Sequence, residues 1–301
     1  MIPGLQRDRV DLAGLVARIR GQFPALAFHG AVLNDKGDDH AVVVLDGAWV
    51  FRFPRTGEAA DYAAGERRLL QRLAPLSPVA IPNYQFVSGL GHVAGYRLIV
   101  GHPLEPEVFA ALSTTVRARI LGEIGGLLKV LHALPIDLID GPDGRPGPVA
   151  WTGADYQIRY RSRRADFCRV LDVAAMRALD GFFGALEAAL DPAPAVLIHG
   201  DLSADHMLLS PDADHLAGII DFTDAASGDP AFDFAYLWSY GEDAAAQAVA
   251  DYGAGAQTAA LLSRSRWWHA RYVIDQTWRG LAVGQTVGVD RLPSLFAPLG
   301  L

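Results

Sequence analysis

The sequence predicts an α+β fold in two lobes. An N-terminal antiparallel sheet with one inserted helix occupies residues 1–100, and a mainly helical C-terminal lobe occupies residues 101–301. Three observations carry this expectation. β-Branched and aromatic runs crowd the first part of the chain, at Ala41–Leu45, Ala48–Phe53, Ile81–Val87 and Tyr96–Val100. After Glu105, apolar residues recur at three- and four-residue spacing. One later stretch, Val196–Trp238, breaks that helical pattern with two short apolar runs, each followed by a cluster containing aspartate.

In the first lobe, Asp46-Gly47 between two strand-like runs is a hairpin signal. Period-two alternation places Trp49, Phe51 and Phe53 on one face of the second strand, and Val50 with Arg52 on the other. Helical spacing from Glu58 to Leu73 puts Glu66 on the face of Leu69, Leu70 and Leu73. An inward carboxylate needs a cationic or hydrogen-bonding partner, and Arg52 is the nearest candidate; a partly solvated edge position is the equal alternative. Gly101-His102-Pro103 ends the sheet and links the lobes.

In the second lobe, Phe109, Leu112, Val116, Ile120, Ile124, Leu127, Leu128 and Leu131 form one long apolar stripe. His132, at its end, reads as a capping or packing residue. Asp140–Pro148 is a loop by composition. Helix resumes from Tyr156 to Leu190, with Arg159, Arg161, Arg163 and Arg164 as a solvated face. Further helices are expected at 233–240, Glu242–Tyr252 and Thr258–Gly284, and the tail packs on the second lobe.

Composition narrows the function classes. The 301 residues are 51% hydrophobic and 20% charged, so a globular core is within reach. A net charge of −8 argues against a nucleic-acid or anionic-membrane surface and leans toward a cationic partner, although solubility alone also accounts for it. The single Cys168 excludes an intrachain disulfide and suits a reducing compartment. The charged N-terminal segment, with Arg7, Asp8, Arg9, Asp11, Arg18 and Arg20, reads as an amphipathic helix rather than a signal sequence. A soluble, cytoplasmic, monomeric protein is expected.

The chemistry lies in Val196–Trp238. The runs Val196–Ile198 and Leu216–Ile220 read as partner strands, with Asp201 in the loop after the first and Asp221 at the end of the second. Phosphoryl transfer to an alcohol needs a carboxylate on the hydroxyl, a divalent metal on the phosphates and a further cation. Asp201 suits the first role and Asp221 the second. His206, five positions after Asp201, lies on the return of the loop. Mg²⁺ prefers oxygen, so a histidine there binds it weakly, acts through water or shapes the loop. His199, Asp201 and His206 also have the spacing of transition-metal ligands, which keeps a metal-dependent hydrolase open.

HGDLSADH, IIDFTDA and GDPAFDFA together resemble the motifs of the aminoglycoside phosphotransferase family, which shares the bilobal protein-kinase-like fold. The resemblance implies that Asp201 is the catalytic base and Asp221 a metal ligand. It assigns structural work to Asp229 and Asp233. Asparagine is common at the position of His206; histidine there is similar to the 2″-phosphotransferase branch. The resemblance further implies that Arg52 and Glu66 grip the nucleotide phosphates, and that Arg97, Leu98 and Ile99 meet the base of ATP or GTP through backbone groups. Mg²⁺ is the implied metal, and an antibiotic hydroxyl, first of all on an aminoglycoside, the implied acceptor.

Two departures stand out. Arg52 occupies the usual lysine position, and Trp49–Arg55 with Ile220–Asp224 resembles the macrolide phosphotransferase branch. No clear glycine-rich phosphate loop is visible; the segment from His29-Gly30 to Gly37-Asp38 is the candidate. On the acceptor side, Asp205, Glu242 and Asp243 are candidates for ammonium groups. Trp267, Trp268, Tyr272 and Trp278 are candidates to wall the pocket, with core packing preferred for most of them. Another small-alcohol kinase of the same fold and an inactive nucleotide-binding pseudokinase complete the alternatives.

Overall fold

The structure, a computed structural model, describes residues 11–35, 39–89, 93–141, 143–190, 194–286 and 288–301. The start of the expected amphipathic helix and the Gly37-Asp38 end of the candidate phosphate loop lie outside these residues.

Helix α1 (Leu12–Gln22) begins where the Asp11 carboxylate accepts the backbone N–H groups of Ala13 and Gly14. Five strands follow: β1 (Ala31–Asn34), β2 (His40–Leu45), β3 (Trp49–Pro54) and, after helix α2 (Gly57–Leu73), β4 (Tyr84–Val87) and β5 (Ala94–Arg97). They form an antiparallel sheet in the order β1-β2-β3-β5-β4. The β2–β3 turn forms at Asp46-Gly47, where both residues have positive φ. The Asp46 carboxylate also accepts the N–H groups of His29 and Gly30, tying the entry of β1 to this turn.

Strand β3 alternates as expected. Phe51 and Phe53 are buried in a cluster with Leu15 and Ile19 of α1, while Arg52 points to the opposite face. Strand β1 carried no alternation long enough to read, and it adds an edge to the sheet with Val32 exposed. Strands β4 and β5 differ from the expected runs. Pro82 precedes β4, whose pairing with β5 is irregular between Tyr84 and Phe86, and β5 starts at Ala94 and ends at Arg97.

The chain then forms β6 (His102–Pro103), α3 (Pro106–Ala111), α4 (Thr114–His132), α5 (Gly153–Phe167) and α6 (Val173–Ala189). The long apolar stripe is divided between α3 and α4. Leu112 and Ser113 are extended, and the Ser113 hydroxyl accepts the N–H of Val116 to start a new helix. The four arginines of α5 are not a simple solvated face. Arg159 and Arg163 converge on Asp275, and Arg164 forms a two-pronged pair with Asp180.

Next come β7 (Val196–Ile198), β8 (Met207–Leu209), β9 (Leu216–Ile219) and β10 (Ala226–Gly228). Here the expected pairing is corrected. Strand β7 does not pair with β9; it pairs with β10, while β8 and β9 form the hairpin and β6 joins β8. The eight residues from His199 to His206 therefore run from one small sheet to another, and the carboxylate loop bridges them.

Two 3₁₀ turns, Pro230–Phe234 and Tyr236–Tyr240, replace the expected helix at 233–240. They lead into α7 (Glu242–Tyr252), α8 (Thr258–Ala282) and α9 (Leu292–Phe296). The tail packs on the helical part as expected, with Phe296 against Phe182 of α6. The main hydrophobic cluster spans the helices and also takes in Leu69, Leu70 and Leu73 of α2. That packing ties α2, which carries Glu66, to the core of the helical part. Among the described residues, no helix is long and apolar enough to cross a membrane.

Candidate active site

The loop after β7 is held from behind. The Asp233 carboxylate accepts the N–H of His199 at 2.7 Å and that of Gly200 at 3.0 Å. Its other partner is His132, whose Nε2 lies 3.1 Å away. Burial would push the Asp233 carboxyl up, but these partners hold it below the usual carboxylate range. His132 thus packs and orients, as its helix-end position suggested. Gly200 has φ +84, and a Cβ there would lie 2.1 Å from the carbonyl oxygen of Asp224, so only glycine fits.

Asp201 projects from this loop with its side chain 45% exposed. Its carbonyl oxygen accepts a hydrogen bond from His206 Nδ1 at 2.7 Å. A carbonyl only accepts, so Nδ1 carries a proton and Nε2 is the ring nitrogen that faces away from this bond. That Nε2 lies 3.7 Å from Asp221 Oδ2. His206 therefore stands between the two carboxylates that the sequence singled out, in contact with both.

Asp221 follows β9 with φ +62, a conformation unusual for a side chain other than glycine. Its Oδ1 accepts from the Thr223 hydroxyl at 2.5 Å and from Arg52 Nη2 at 3.1 Å. Burial raises this carboxyl, but Arg52, Thr223 and the two nearby histidines outweigh burial and keep it ionised. The Arg52 guanidinium comes from the sheet and also meets Glu66 Oε1 at 2.6 Å, Tyr84 OH at 3.0 Å and His40 Nδ1 at 3.1 Å. The expected Arg52–Glu66 pair is present and nearly dry, each side chain 7% exposed. Thr223, His40 and Tyr84 were missed as site residues. Thr223 lay within the Ile220–Asp224 motif without a role; His40 and Tyr84 offered no signal, because only the sheet register brings them to Arg52.

Asp224, also unassigned from sequence, is pushed up to about 7 by desolvation and by the carboxylates of Asp201, Asp221 and Asp39. The mouth of the cleft is thus strongly acidic, a field that favours cations.

The transition-metal alternative does not survive the geometry. His199 donates through Nε2 to the carbonyl of Ile220 at 3.1 Å, and its Nδ1 accepts the N–H of Asp201 at 3.3 Å. Neither nitrogen is left for a metal. Among the described residues, no three His, Cys, Asp or Glu side chains are grouped to hold an ion by themselves. Mg²⁺ commonly binds through one or two carboxylates plus substrate phosphates. Asp221 Oδ2, with His206 beside it, fits that mode.

The remaining candidates are distributed more widely. Arg97 stacks 3.9 Å above the ring of Trp49. Arg97, Leu98 and Ile99 line a cavity of about 450 Å³, together with residues of β4 and of the β8–β9 turn. Arg52, Asp201, His206 and Asp221 are not among its lining residues. Asp205 and Asp243 are exposed, and Glu242 is bound by Arg266 at 2.6 Å. Trp278 donates to Asp166 and lies under the Arg163 guanidinium, while Trp267 and Trp268 pack with the core.

No curated protein sequence matches this chain. Solved structures do. An aminoglycoside 2″-phosphotransferase in complex with GDP and kanamycin shares 25% identity and a TM-score of 0.80, over 95% of this chain and 99% of that one. A GDP complex of a point mutant of aminoglycoside 2′-phosphotransferase-IIIa shares 25% identity and a TM-score of 0.79, over 96% and 98%. A macrolide 2′-phosphotransferase from Brachybacterium faecium shares the fold at 23% identity and a TM-score of 0.63, over 95% and 99%. The model of the phosphotransferase enzyme family matches residues 32–268, well over half of the chain. The chain belongs to the phosphotransferase enzyme family.

Proposed function

We propose that this protein transfers the γ-phosphoryl group of ATP or GTP to a hydroxyl of an antibiotic, first of all an aminoglycoside, and so confers resistance. The observation that carries the reading is the position of His206 between Asp201 and Asp221, with Arg52 closing on Asp221 from the sheet. The complexes with kanamycin and GDP among the similar structures support the acceptor and donor classes.

In this reading Asp201 orients the acceptor hydroxyl and takes its proton as the new P–O bond forms, while the bond from the γ-phosphorus to the bridging oxygen breaks and ADP or GDP leaves. Asp221 and His206 would hold Mg²⁺, which would supply neutralising charge on the phosphates. Arg97, Leu98 and Ile99 meet the base of the nucleotide. The acidic cleft mouth draws in a cationic acceptor, and Asp205 and Asp243 are exposed acids available to its ammonium groups. The protein acts as a cytoplasmic monomer. A macrolide acceptor is the second reading, favoured by the Trp49–Arg55 strand and the Ile220–Asp224 motif.

Purified protein incubated with Mg²⁺, ATP or GTP and a panel of aminoglycosides, macrolides and simple alcohols should add one phosphate to an aminoglycoside, read by mass spectrometry. Phosphorylation of macrolides alone would install the second reading. No phosphorylated product from any acceptor would overturn the antibiotic reading.

A further inference from the structure

Both terminal nitrogens of Arg52 are saturated by the protein itself. A guanidinium carries two N–H groups on each terminal nitrogen. Nη1 serves Glu66 and Tyr84, while Nη2 faces His40, Asp221 and Thr223. Four hydrogens thus meet five acceptors, inside a side chain only 7% exposed. The planar fork makes this directional. Anchoring Nη1 at Glu66 and Tyr84 fixes the plane in which Nη2 reaches the other lobe.

Thr223 completes the arrangement. Its hydroxyl accepts from Arg52 and donates to Asp221 Oδ1, so that this oxygen is held from two directions. Oδ2 is left on the side of His206. Asp221 also sits at positive φ, a backbone state that persists where surrounding contacts hold it. A lysine would offer a compact ammonium without a planar fork, and could not span this set of acceptors in the same way.

We propose that Arg52 is a positioning residue for the metal-side carboxylate: the guanidinium, relayed through the Thr223 hydroxyl, holds Asp221 Oδ1 so that Oδ2 is aimed at a divalent cation. Its primary task is then on Asp221 rather than on the nucleotide phosphates. This rests on the phosphotransferase reading above and changes the work assigned to Arg52 within it.

The test separates metal binding from nucleotide binding. Mn²⁺, a spectroscopic substitute for Mg²⁺, is titrated into the ADP complex and followed by electron paramagnetic resonance. ADP affinity without metal is measured by calorimetry in the presence of chelator. Thr223→Val and Arg52→Lys should each weaken Mn²⁺ binding by about tenfold, the usual scale for losing a group that orients a metal ligand. Metal-free ADP affinity should stay within about twofold of the parent, by the same separation of ligand-orienting from nucleotide contacts. The double variant should be no worse than Arg52→Lys, because both changes act on one oxygen. Thr223→Ser, which keeps the hydroxyl, should behave as the parent.

Two results overturn the proposal alone: a large loss of metal-free ADP affinity in Arg52→Lys with Mn²⁺ binding intact, or parental Mn²⁺ binding in Thr223→Val. A parent protein that binds neither ADP nor GDP, with or without Mn²⁺, overturns the phosphotransferase reading along with it.

Discussion

The Asp233 carboxylate accepts the backbone N–H of His199 from thirty-four residues away, at 2.7 Å and fully inside the protein. The loop that presents Asp201 is therefore not self-supporting. It hangs from a buried anion that also binds Gly200 and His132. Removing one member of such a buried set costs about 3–5 kcal/mol. Asp233→Ala should thus lower thermal stability strongly and abolish activity. Asp233→Asn keeps one acceptor oxygen and should be intermediate in both. The Asp233 carboxyl is held below its ordinary range when folded, so its contribution is present above the unfolded carboxylate pKa and is lost as pH falls into the acid range. Thermal melts of the three proteins between neutral and acid pH check the ordering.

Asp201 is the opposite case, an exposed carboxylate whose side chain does little for the fold. Asp201→Asn should lower kcat by about 10²-fold or more and leave nucleotide affinity nearly unchanged, because the contribution of a general base appears in the transition state. Steady-state kinetics with equilibrium nucleotide binding measure both. Retained turnover would remove Asp201 from the base role.

How far this site was legible depended on the range of the interactions. Period-two alternation in β3 and helical spacing in α2 made Arg52 the nearest candidate partner of Glu66, because each signal is local, but left a partly solvated edge position for Glu66 equally open. The motif residues Asp201, His206 and Asp221 were legible by resemblance, and they do converge. Strand partnership was not legible. Val196–Ile198 and Leu216–Ile219 are both short and apolar, and nothing in their composition distinguishes β10 from β9 as the partner of β7. His40 and Tyr84 were invisible for a related reason: each reaches Arg52 only through the register of neighbouring strands. The acceptor side was the least legible, since surface acids such as Glu242 find partners, here Arg266, that lie far along the chain.

His199 illustrates how hydrogen bonding narrows a histidine to one role. Both ring nitrogens are committed, to the Ile220 carbonyl and to the Asp201 N–H, and burial lowers its pKa. His199→Ala should destabilise the protein by about 1–3 kcal/mol, the cost of leaving buried polar groups unpaired. The Mg²⁺ concentration for half-maximal activity of the folded fraction should be unchanged. A large shift in that concentration would return His199 to the metal site.

His40 provides the pH test of the Arg52 environment. Burial and the neighbouring Arg52 lower its pKa to about 3, so the folded protein holds a neutral imidazole that accepts from Arg52. The unfolded chain binds a proton near pH 6.5, the ordinary histidine value. Below that pH the unfolded state takes up a proton that the folded state refuses, and stability falls as pH drops from about 6.5 toward 3. The loss by pH 4.5 is about 2–3 kcal/mol for this one group. His269, lowered to about 4 mainly by burial, adds a slope of the same sign. His40→Gln keeps an acceptor but does not titrate. It should therefore flatten the denaturant-midpoint profile between pH 6.5 and 4.5 by that amount while leaving part of the slope to His269. A variant profile parallel to the parent's would mean that His40 already charges in the folded state, and that its contact with Arg52 is broken there.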